Sequence, residues 1–227
     1  MSEQFESGSA SQMRVPLFPL NTVLVPGLVM PLRLFEPRYL LLAETLMEYE
    51  ESDRYFGIVK SIAKPSPEIE LTIHTVGTIA QVQSIKSNDD GEFELVAVGS
   101  RRFRILELHQ DLMYLTADVE LYPEESTTEM VDPLLLKDTL DVFDKYREVL
   151  GVSLGSESTM PDDPHIVSYL ITAAAMLTLD ERQLLLEILS TDMRLREIRR
   201  ILKRENAILK QVRCFPTFEP TDDFSLN

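Results

Sequence analysis

Residues 16–42 read PLFPLNTVLVPGLVMPLRLFEPRYLLL, and this stretch decides what kind of fold the N-terminal half can form. It is densely apolar, yet prolines recur through it at positions 16, 19, 26 and 31. Each proline removes a backbone donor and fixes φ, so no regular helix can run through residues 14–35. The pattern predicts short strands broken by turns. One turn is expected at residues 25–27, where Pro26 presets φ and Gly27 tolerates the next position.

The periodicity becomes helical after Glu36 and stays so to about residue 50, with Pro37 in the first turn, where its missing N–H needs no partner. Strands are predicted at residues 55–60, 70–75, 78–86, 93–98, 103–108 and 113–122. The sequence NDDG at residues 88–91 accepts positive φ and predicts a hairpin between the third and fourth of them. These signals predict a small, curled β domain with one early helix.

Helical spacing dominates the second half of the chain. Helices are predicted at residues 131–150, ended by Gly151, at 166–177, and at about 191–212. Between the last two, Asp180 and Gln183 have capping-box spacing and are expected to start a further helix. The last helix places apolar residues at alternating spacings of three and four, which suits packing along a helical bundle.

Five segments follow from these patterns. The sequence predicts a disordered tail at 1–13, a β-rich subdomain at 14–122, a polar acidic linker at 123–129, a helical bundle at 130–213 and a C-terminal tail at 214–227.

The composition limits the classes of partner and the cellular compartment expected for this chain. The chain of 227 residues has 22 Lys and Arg against 38 Asp and Glu, a net charge of −16, which opposes attraction to nucleic acid and to anionic membranes. Its single cysteine, Cys214, permits no intramolecular disulfide, and no apolar leader follows Met1, so a cytoplasmic location is expected. The apolar stretch 166–179 has 14 residues, short of the roughly 20 that cross a bilayer.

Three blocks of this sequence resemble the N-terminal substrate-binding domain of Lon proteases. They are residues 16–42, VGTIAQVQSI at 76–85 with VAVGSRRFRI at 96–105, and LDERQLLLEILSTDMRLREIRRILKRE at 179–205. The resemblance covers roughly residues 14–212 and is closest to the stand-alone bacterial members. It implies an α+β fold, in which an N-terminal PUA-like β pseudobarrel with one early helix is followed by a C-terminal helical bundle.

The same resemblance implies a function. It points to a non-enzymatic module that binds unfolded or flexible polypeptides, as an adaptor or modulator of proteolysis within a protease complex. No G-x-x-x-x-G-K-[ST] sequence is present, so ATP hydrolysis is not expected.

One candidate peptide-binding segment lies where the early helix begins. It comprises Phe35, Glu36, Pro37, Arg38 and Tyr39. Phe35 and Tyr39 could form an apolar rim that grips an extended peptide, with Arg38 engaging a carboxylate or a carbonyl group. In the alternative interpretation, the two aromatic rings fasten the helix to the β domain and Arg38 pairs with Glu36 or with a strand carboxylate.

The second candidate surface is the basic last helix. Residues 194–213 hold eight basic and two acidic residues, and Arg196, Arg199, Arg200 and Lys203 are candidates for docking to an acidic partner. A solvated face supported by acidic neighbours is the plain alternative. RNA contact is a third interpretation, which is disfavoured because no aromatic residues interleave with the arginines and the rest of the chain is strongly acidic.

Catalytic and metal motifs are weak. Residues 151–155 match G-x-S-x-G, which would make Ser153 a hydrolase nucleophile, but the predicted context of a helix followed by a polar loop is not the strand-to-helix turn that this motif needs. We expect an ordinary loop there. His74, His109 and His165 are widely separated, so no metal and no cofactor are expected. Cys214 is expected to pack as a small side chain rather than to react.

Overall fold

The computed structural model describes residues 12–62, 72–122, 131–152 and 160–213. Six strands form one sheet: β1 (Gln12–Leu20), β2 (Val29–Leu34), β3 (Tyr55–Ile62), β4 (Thr72–Ser87), β5 (Phe93–His109) and β6 (Thr116–Leu121). Their order is β2-β5-β4-β3-β1-β6, and β5 also pairs with β6. The sheet therefore closes on itself through five strands, and β2 is added at the outside, paired only with the first part of β5.

Five α-helices accompany the sheet in the described part of the chain. They are α1 (Pro37–Met47), α2 (Pro133–Leu150), α3 (Pro164–Ala174), α4 (Leu179–Glu187) and α5 (Thr191–Arg213), and a 3-10 turn spans Glu51–Asp53. The order of strands first and helices afterwards, with one early helix, confirms the predicted α+β class.

Turn chemistry placed the predicted hairpin correctly. β4 and β5 pair antiparallel around residues 88–91, where Gly91 has a φ of 77°. The Asn88 side chain accepts a hydrogen bond from the backbone N–H of Glu92 at 2.9 Å, which holds the turn closed. The predicted turn at residues 25–27 is also present, with Gly27 at a φ of 80°.

Strand lengths differ from the prediction. β4 and β5 each run without a break where the sequence predicted two shorter strands. Gly77 and Gly99 lie in the gaps between the predicted strands, and in the structure both are packing positions within a continuous strand. A Cβ on Gly77 would lie 2.7 Å from the Phe103 ring and would also meet the backbone carbonyl oxygen of Ile58. At the other end of the sheet, β6 begins three residues later than predicted, at Thr116.

Helix α4 corrects a second prediction. Its capping box is formed by Thr178 and Glu181, not by Asp180 and Gln183. The Thr178 hydroxyl accepts from the Glu181 N–H at 3.2 Å, and the Glu181 carboxylate accepts from the Thr178 N–H at 3.0 Å. Asp180 instead binds Lys60 on β3. Gln183 donates to the Val76 carbonyl at 3.1 Å, so both residues join α4 to the sheet rather than start the helix.

Buried apolar side chains form separate clusters in the two halves. α1 lies over β2, β5 and the end of β4, and one cluster fills the space between them. A second cluster fills the closed part of the sheet around Phe103, and a third joins α2, α3, α4 and α5. A small fourth cluster, with Val76 from the sheet and Tyr169 and Leu186 from the helices, connects the two halves.

The predicted segment boundaries fall mostly outside the described residues. β1 begins at Gln12, so it includes the last two residues of the predicted N-terminal tail. Residues 1–11, 63–71, 123–130, 153–159 and 214–227 are not described, and the predicted linker and C-terminal tail, with Cys214, lie among them. The five-segment division therefore stays a prediction.

Candidate functional site

The segment from Phe35 to Tyr39 turns the chain from β2 into α1. Leu34 ends β2 buried in the core, and Phe35, directly after it, is 62% exposed. Glu36 occupies the N-cap position with extended backbone, and Pro37 opens the helix. Because the proline fixes a helical φ at the first position, the direction of α1 is set immediately after the strand. Phe35 is thereby held at a sharp corner with its ring in solvent.

The other predicted residues of this segment pair among themselves or enter the core. Arg38 binds the Glu36 carboxylate through Nε at 2.9 Å and Nη2 at 2.7 Å. Its guanidinium also lies 4.6 Å from the centre of the Tyr39 ring. Tyr39 is only 5% exposed and meets Phe18 edge-on at 4.0 Å, and its burial raises the pKa of its hydroxyl. Phe35 is thus the aromatic residue of this pair that is available to a partner, and peptide binding by the segment stays a prediction.

β2 adds an apolar surface beside Phe35, which we call the β2 face. Val29, Pro31 and Arg33 alternate with residues that pack under α1, so their side chains share the side of the sheet opposite the helix. Val29 pairs with Val98 and Pro31 pairs with Val96, and both valines of β5 are partly exposed. The β2 face is therefore defined by Val29, Pro31, Val96 and Val98, and Arg33, which binds Glu92, separates these residues from Phe35 at the end of the strand.

Sequence reasoning missed the β2 face. The alternation in VMPLRLF at residues 29–35 was the available signal, since every second residue shares one side of a strand. It could not show which side α1 would cover, because that depends on where the helix packs in the folded chain. The candidate residues were therefore limited to positions 35–39.

The predicted docking arginines of α5 each bind an acidic residue. Arg196 binds Asp192 at 2.6 Å and Arg200 binds Glu197 at 2.6 Å, both within the helix. Arg199 reaches Asp138 on α2 at 3.2 Å. The hydrogen bond to Asp192 raises the pKa of Arg196, and the hydrogen bond from Arg200 lowers the pKa of Glu197.

These ion pairs neutralise the charges of the three arginines locally. Lys203 is exposed and forms no ion pair with another described residue. Pairing of the arginines with adjacent carboxylates weakens the field that this helix presents to an acidic partner or to RNA. Docking through the four residues stays a prediction.

Two arginines that the sequence did not single out are fully buried. Arg194, counted with the basic helix, donates to the carbonyl oxygens of Leu185 at 3.2 Å and Ile188 at 2.8 Å. Arg102 of β5 donates to the carbonyl oxygens of Leu186 at 3.0 Å and Ile188 at 2.7 Å. These carbonyl groups lie at the C-terminus of α4, where cations are favourable. The two side chains hold α4 between α5 and the sheet, which is a structural role.

The histidines do not form a metal centre with one another. His74 lies 3.3 Å from Glu187, and His165 lies 3.1 Å from Thr191. His109 has candidate ligand atoms within 4.8 Å of those of Glu107 and Asp118. Arg14 already binds this group: it donates to Asp118 at 3.0 Å, and its guanidinium also lies beside the His109 ring. A guanidinium in that position repels a metal cation, so the geometry favours an ion-pair cluster that joins β1, β5 and β6.

A family model described as the ATP-dependent protease La (LON) substrate-binding domain matches residues 14–204. The chain belongs to this family. Among curated Lon relatives, Lon protease 2 of Myxococcus xanthus is 26% identical over 203 residues, which cover 86% of this chain and 24% of that protein. Lon protease 2 of Herpetosiphon aurantiacus is 26% identical over 220 residues, with coverages of 90% and 25%. The chain thus spans about a quarter of the length of these relatives.

Solved Lon domains share the fold. A Lon N-terminal domain protein from Xanthomonas campestris superposes with a TM-score of 0.63 at 24% identity, covering 82% of this chain and 96% of that one. The N-terminal domain of a Mycobacterium avium complex Lon protease gives a TM-score of 0.64 at 18% identity, with coverages of 86% and 98%. At these identities the likeness establishes the architecture of the sheet and helices.

The remaining predictions for this Lon-family chain concern catalysis and membranes. Ser153 of the G-x-S-x-G match lies outside the described residues, and the described part of the motif, Gly151 and Val152, follows the end of α2. Gly151 has a φ of 72° and caps that helix, as its position predicted. Over the described ranges, none of the helices combines the length and the apolar character needed to span a membrane.

Proposed function

We propose that the chain is a non-enzymatic module that binds unfolded or flexible polypeptides in the cytoplasm, as an adaptor or modulator of proteolysis. Membership of the Lon substrate-binding family supports the binding of protein substrates. The names of the relatives, all Lon proteases, support a proteolytic context. In this proposal the closed sheet is the PUA-like pseudobarrel that the resemblance implies, and α2–α5 form its helical bundle.

The β2 face with Phe35 is the binding surface in this proposal. The observation that carries it is the exposure of two apolar side chains at the two ends of β2, Val29 at 56% and Phe35 at 62%, on a strand at the outside of the sheet. Exposed apolar side chains grouped on a rigid element are typical of protein-binding sites. Aromatic residues at such sites contribute most of the binding free energy when a partner buries them.

The shape of the surface suits a flexible partner. The valines and Pro31 lie on a pleated face that is held from behind by α1, so the surface needs no rearrangement to accept a chain. A flexible polypeptide can present its apolar residues to such a face in several registers, which gives broad rather than sequence-specific recognition.

The test is a titration with fluorescein-labelled, permanently unfolded polypeptides, followed by anisotropy. The variant Val29→Ser/Phe35→Ser is expected to bind about tenfold or more weakly, because burying a Phe side chain contributes about 1.5–3 kcal/mol. Met176→Ser is the matched control, since Met176 is 75% exposed on the helical half. Equal loss in the variant and the control, or no binding across the panel, would contradict the proposal.

Docking through Arg196, Arg199, Arg200 and Lys203 is a separate proposal with its own test. Arg199→Glu/Arg200→Glu reverses two charges on α5 and leaves the β2 face unchanged. If a stable partner recovered from cell extract is lost with this variant alone, the last helix is a docking site. Retention of every partner would make the helix a solvated face that its acidic neighbours support.

A further inference from the structure

β4 continues beyond the strand that pairs with it on one side. The last paired residues of β3 and β4 are Tyr55 and Gln81, and the Val82 N–H then donates to the Arg54 carbonyl at 2.9 Å. Residues 84–87 pair only with β5, on the opposite side, and Gln83 lies at a shift in register between the paired residues Val82 and Ser84. Among the strands of the described ranges, none covers the other edge of residues 83–87. The backbone N–H and C=O groups that point away from β5 there are open to another extended chain.

A cavity of about 560 Å³ lies along this open edge. One wall is β4 itself, from Val82 to Ile85, and the other is the 3-10 turn with Arg54. The side-chain amide of Gln81 fixes the second wall, since its Nε2 lies 3.1–3.3 Å from the carbonyl oxygens of Glu51, Ser52 and Arg54. The edge therefore forms one side of a preformed slot in which an extended segment can lie.

The second wall is acidic. Glu48, Glu50, Glu51 and Asp53 are all exposed, and none forms an ion pair within the part of the chain that the structure describes. Arg54 forms no ion pair with them, and its guanidinium binds the backbone at the end of α1. There it donates to the carbonyl oxygens of Tyr49 at 2.9 Å and Met47 at 3.4 Å, at the C-terminus of that helix. Glu51 lines the slot, and together with its neighbours Glu48, Glu50 and Asp53 it outweighs the exposed cation of the edge, Lys86, which favours a cationic occupant.

An apolar rim lies next to the acidic wall. Met47 is 47% exposed and Tyr49 is 54% exposed, where α1 ends and the chain turns toward the slot. A strand presents alternate side chains to opposite sides, so an occupant can direct basic side chains to the carboxylates and apolar ones to this rim.

We infer that the open edge of β4 at residues 83–87 takes up one extended segment of a basic polypeptide as an added strand. Main-chain hydrogen bonds to β4 supply sequence-independent affinity, and the carboxylates of the 3-10 turn and the end of α1 select Lys or Arg at alternate positions. This inference rests on the proposed function, because it names the class of flexible polypeptide that the module binds.

β2 is the less suitable edge for strand addition. It is also at the outside of the sheet, but Pro31 lies at its centre and has no backbone N–H. Proline in an edge strand hinders pairing with a further chain. We therefore assign strand addition to β4 and side-chain contacts to the β2 face.

The experiment uses the full chain and a fluorescein-labelled peptide, acetyl-Thr-Lys-Val-Lys-Val-Lys-Thr-amide. The acidic counterpart, with Glu in place of each Lys, is the charge control. We expect anisotropy to detect binding of the basic peptide and none of the acidic one. Glu51→Gln/Asp53→Asn is expected to weaken the basic peptide about tenfold. Asp141→Asn/Glu148→Gln, which removes two exposed carboxylates from α2, is expected to leave binding unchanged.

Backbone methylation of the peptide distinguishes strand addition from a purely electrostatic contact. In an added strand, alternate N–H groups face the edge. Two methylated peptides are therefore compared, one N-methylated at its three Lys residues and the other at its two Val residues. We expect one of the two to lose binding and the other to retain it. Equal binding of both methylated peptides, equal binding of the acidic peptide, or unshifted amide resonances for residues 83–87 would each overturn the inference.

Two further outcomes separate this inference from the proposed function. If unfolded polypeptides still bind through Val29 and Phe35 while the basic peptide does not bind, the inference fails and the proposed function stands. If unfolded polypeptides do not bind either, the proposed function fails as well. Protection of amides 83–87 that rises with protein concentration and without peptide would show a second copy at the edge, and would also overturn the inference.

Discussion

At the scale of single residues, Gly77 lies where the fold leaves no room for a side chain. A Cβ at this position would meet the Ile58 carbonyl oxygen and would lie 2.7 Å from both the Phe103 ring and a Val59 methyl group. We expect Gly77→Ala to lower the free energy of unfolding by about 2 kcal/mol, because strands and ring cannot all move aside. Urea unfolding measures this change.

Gly91 provides the control for Gly77. It has a φ of 77° and nothing within 4 Å of a Cβ, and asparagine tolerates this backbone conformation. Gly91→Asn is therefore expected to change the free energy of unfolding by less than about 1 kcal/mol. A larger loss at Gly91 than at Gly77 would show that the strand packing described here is wrong.

The ionised carboxylate of Asp118 contributes to the stability of the fold, and this contribution depends on pH. Hydrogen bonds from Arg14 and then His109 lower its pKa in the folded state. The contribution is therefore complete above the unfolded value of about 3.9 and is lost as the pH falls through the lower folded pKa. Asp118→Asn should lower the urea midpoint at pH 7 and should lower it less at acidic pH, as the Asp118 carboxyl becomes protonated in the folded protein. An equal decrease at the two pH values would contradict this assignment.

Individual side chains were only partly predictable. Phe35 and Tyr39 are four residues apart and equally aromatic, yet the first is exposed and the second is buried against Phe18. Arg194 looked like its exposed neighbours on the basic helix, but it is fully buried. In both cases the outcome depends on groups distant in sequence, the Phe18 ring and the carbonyl groups of α4, which no local pattern identifies.

At the scale of secondary-structure elements, substitutions in the capping box of α4 test most directly which residues start this helix. The Thr178 hydroxyl and the Glu181 carboxylate each satisfy a backbone N–H of the other residue. Thr178→Ala is expected to lower the free energy of unfolding by about 1 kcal/mol, and Thr178→Ser should retain most of the stability. Asp180→Ala, at the predicted cap, removes the bond to Lys60 and leaves the capping box in place.

Amide exchange distinguishes the two caps. We expect Thr178→Ala to accelerate exchange at the Glu181 N–H, which loses its acceptor, and Asp180→Ala to leave it slow. If Asp180→Ala alone accelerated exchange at the Glu181 N–H, Asp180 would be the cap and the assignment to Thr178 would be wrong.

Elements were predictable where their signals were local. The hairpin at residues 88–91 and the end of α2 at Gly151 depend on residues that accept positive φ, and both were predicted correctly. The unbroken lengths of β4 and β5 were not predicted, because Gly77 and Gly99 lie in the gaps between the predicted strands and the sequence does not show what packs against them. They lie within strands because Phe103 and the backbone of Val25 approach too closely for any side chain.

At the scale of the whole molecule, the sheet and the helices are joined by a small apolar cluster and by polar contacts rather than by one continuous apolar core. Arg102 and Gln183 bind backbone carbonyl groups across the boundary, and Lys60 binds Asp180. Such contacts fix the orientation of α4 on the sheet, since a shift would leave buried donors unsatisfied. The β2 face and the open edge of β4 both lie on the sheet.

The sequence and its resemblance predicted the family and the α+β order. They did not predict the position of the binding surface, because α1 decides which side of β2 remains exposed and the end of β3 decides which edge of β4 remains open. Both are consequences of packing between distant segments. The candidate site was therefore predicted at Phe35 alone among the residues now assigned to the β2 face.

The central claim is that flexible polypeptides bind the β2 face, and methyl NMR of the isotope-labelled full chain tests it most directly. A saturating unfolded polypeptide should shift the methyl resonances of Val29, Val96 and Val98. It should leave those of Ile166 and Leu170, which are exposed on α3, in place. Shifts confined to the helical half, or no shift in any methyl group while the polypeptide is bound, would contradict the account.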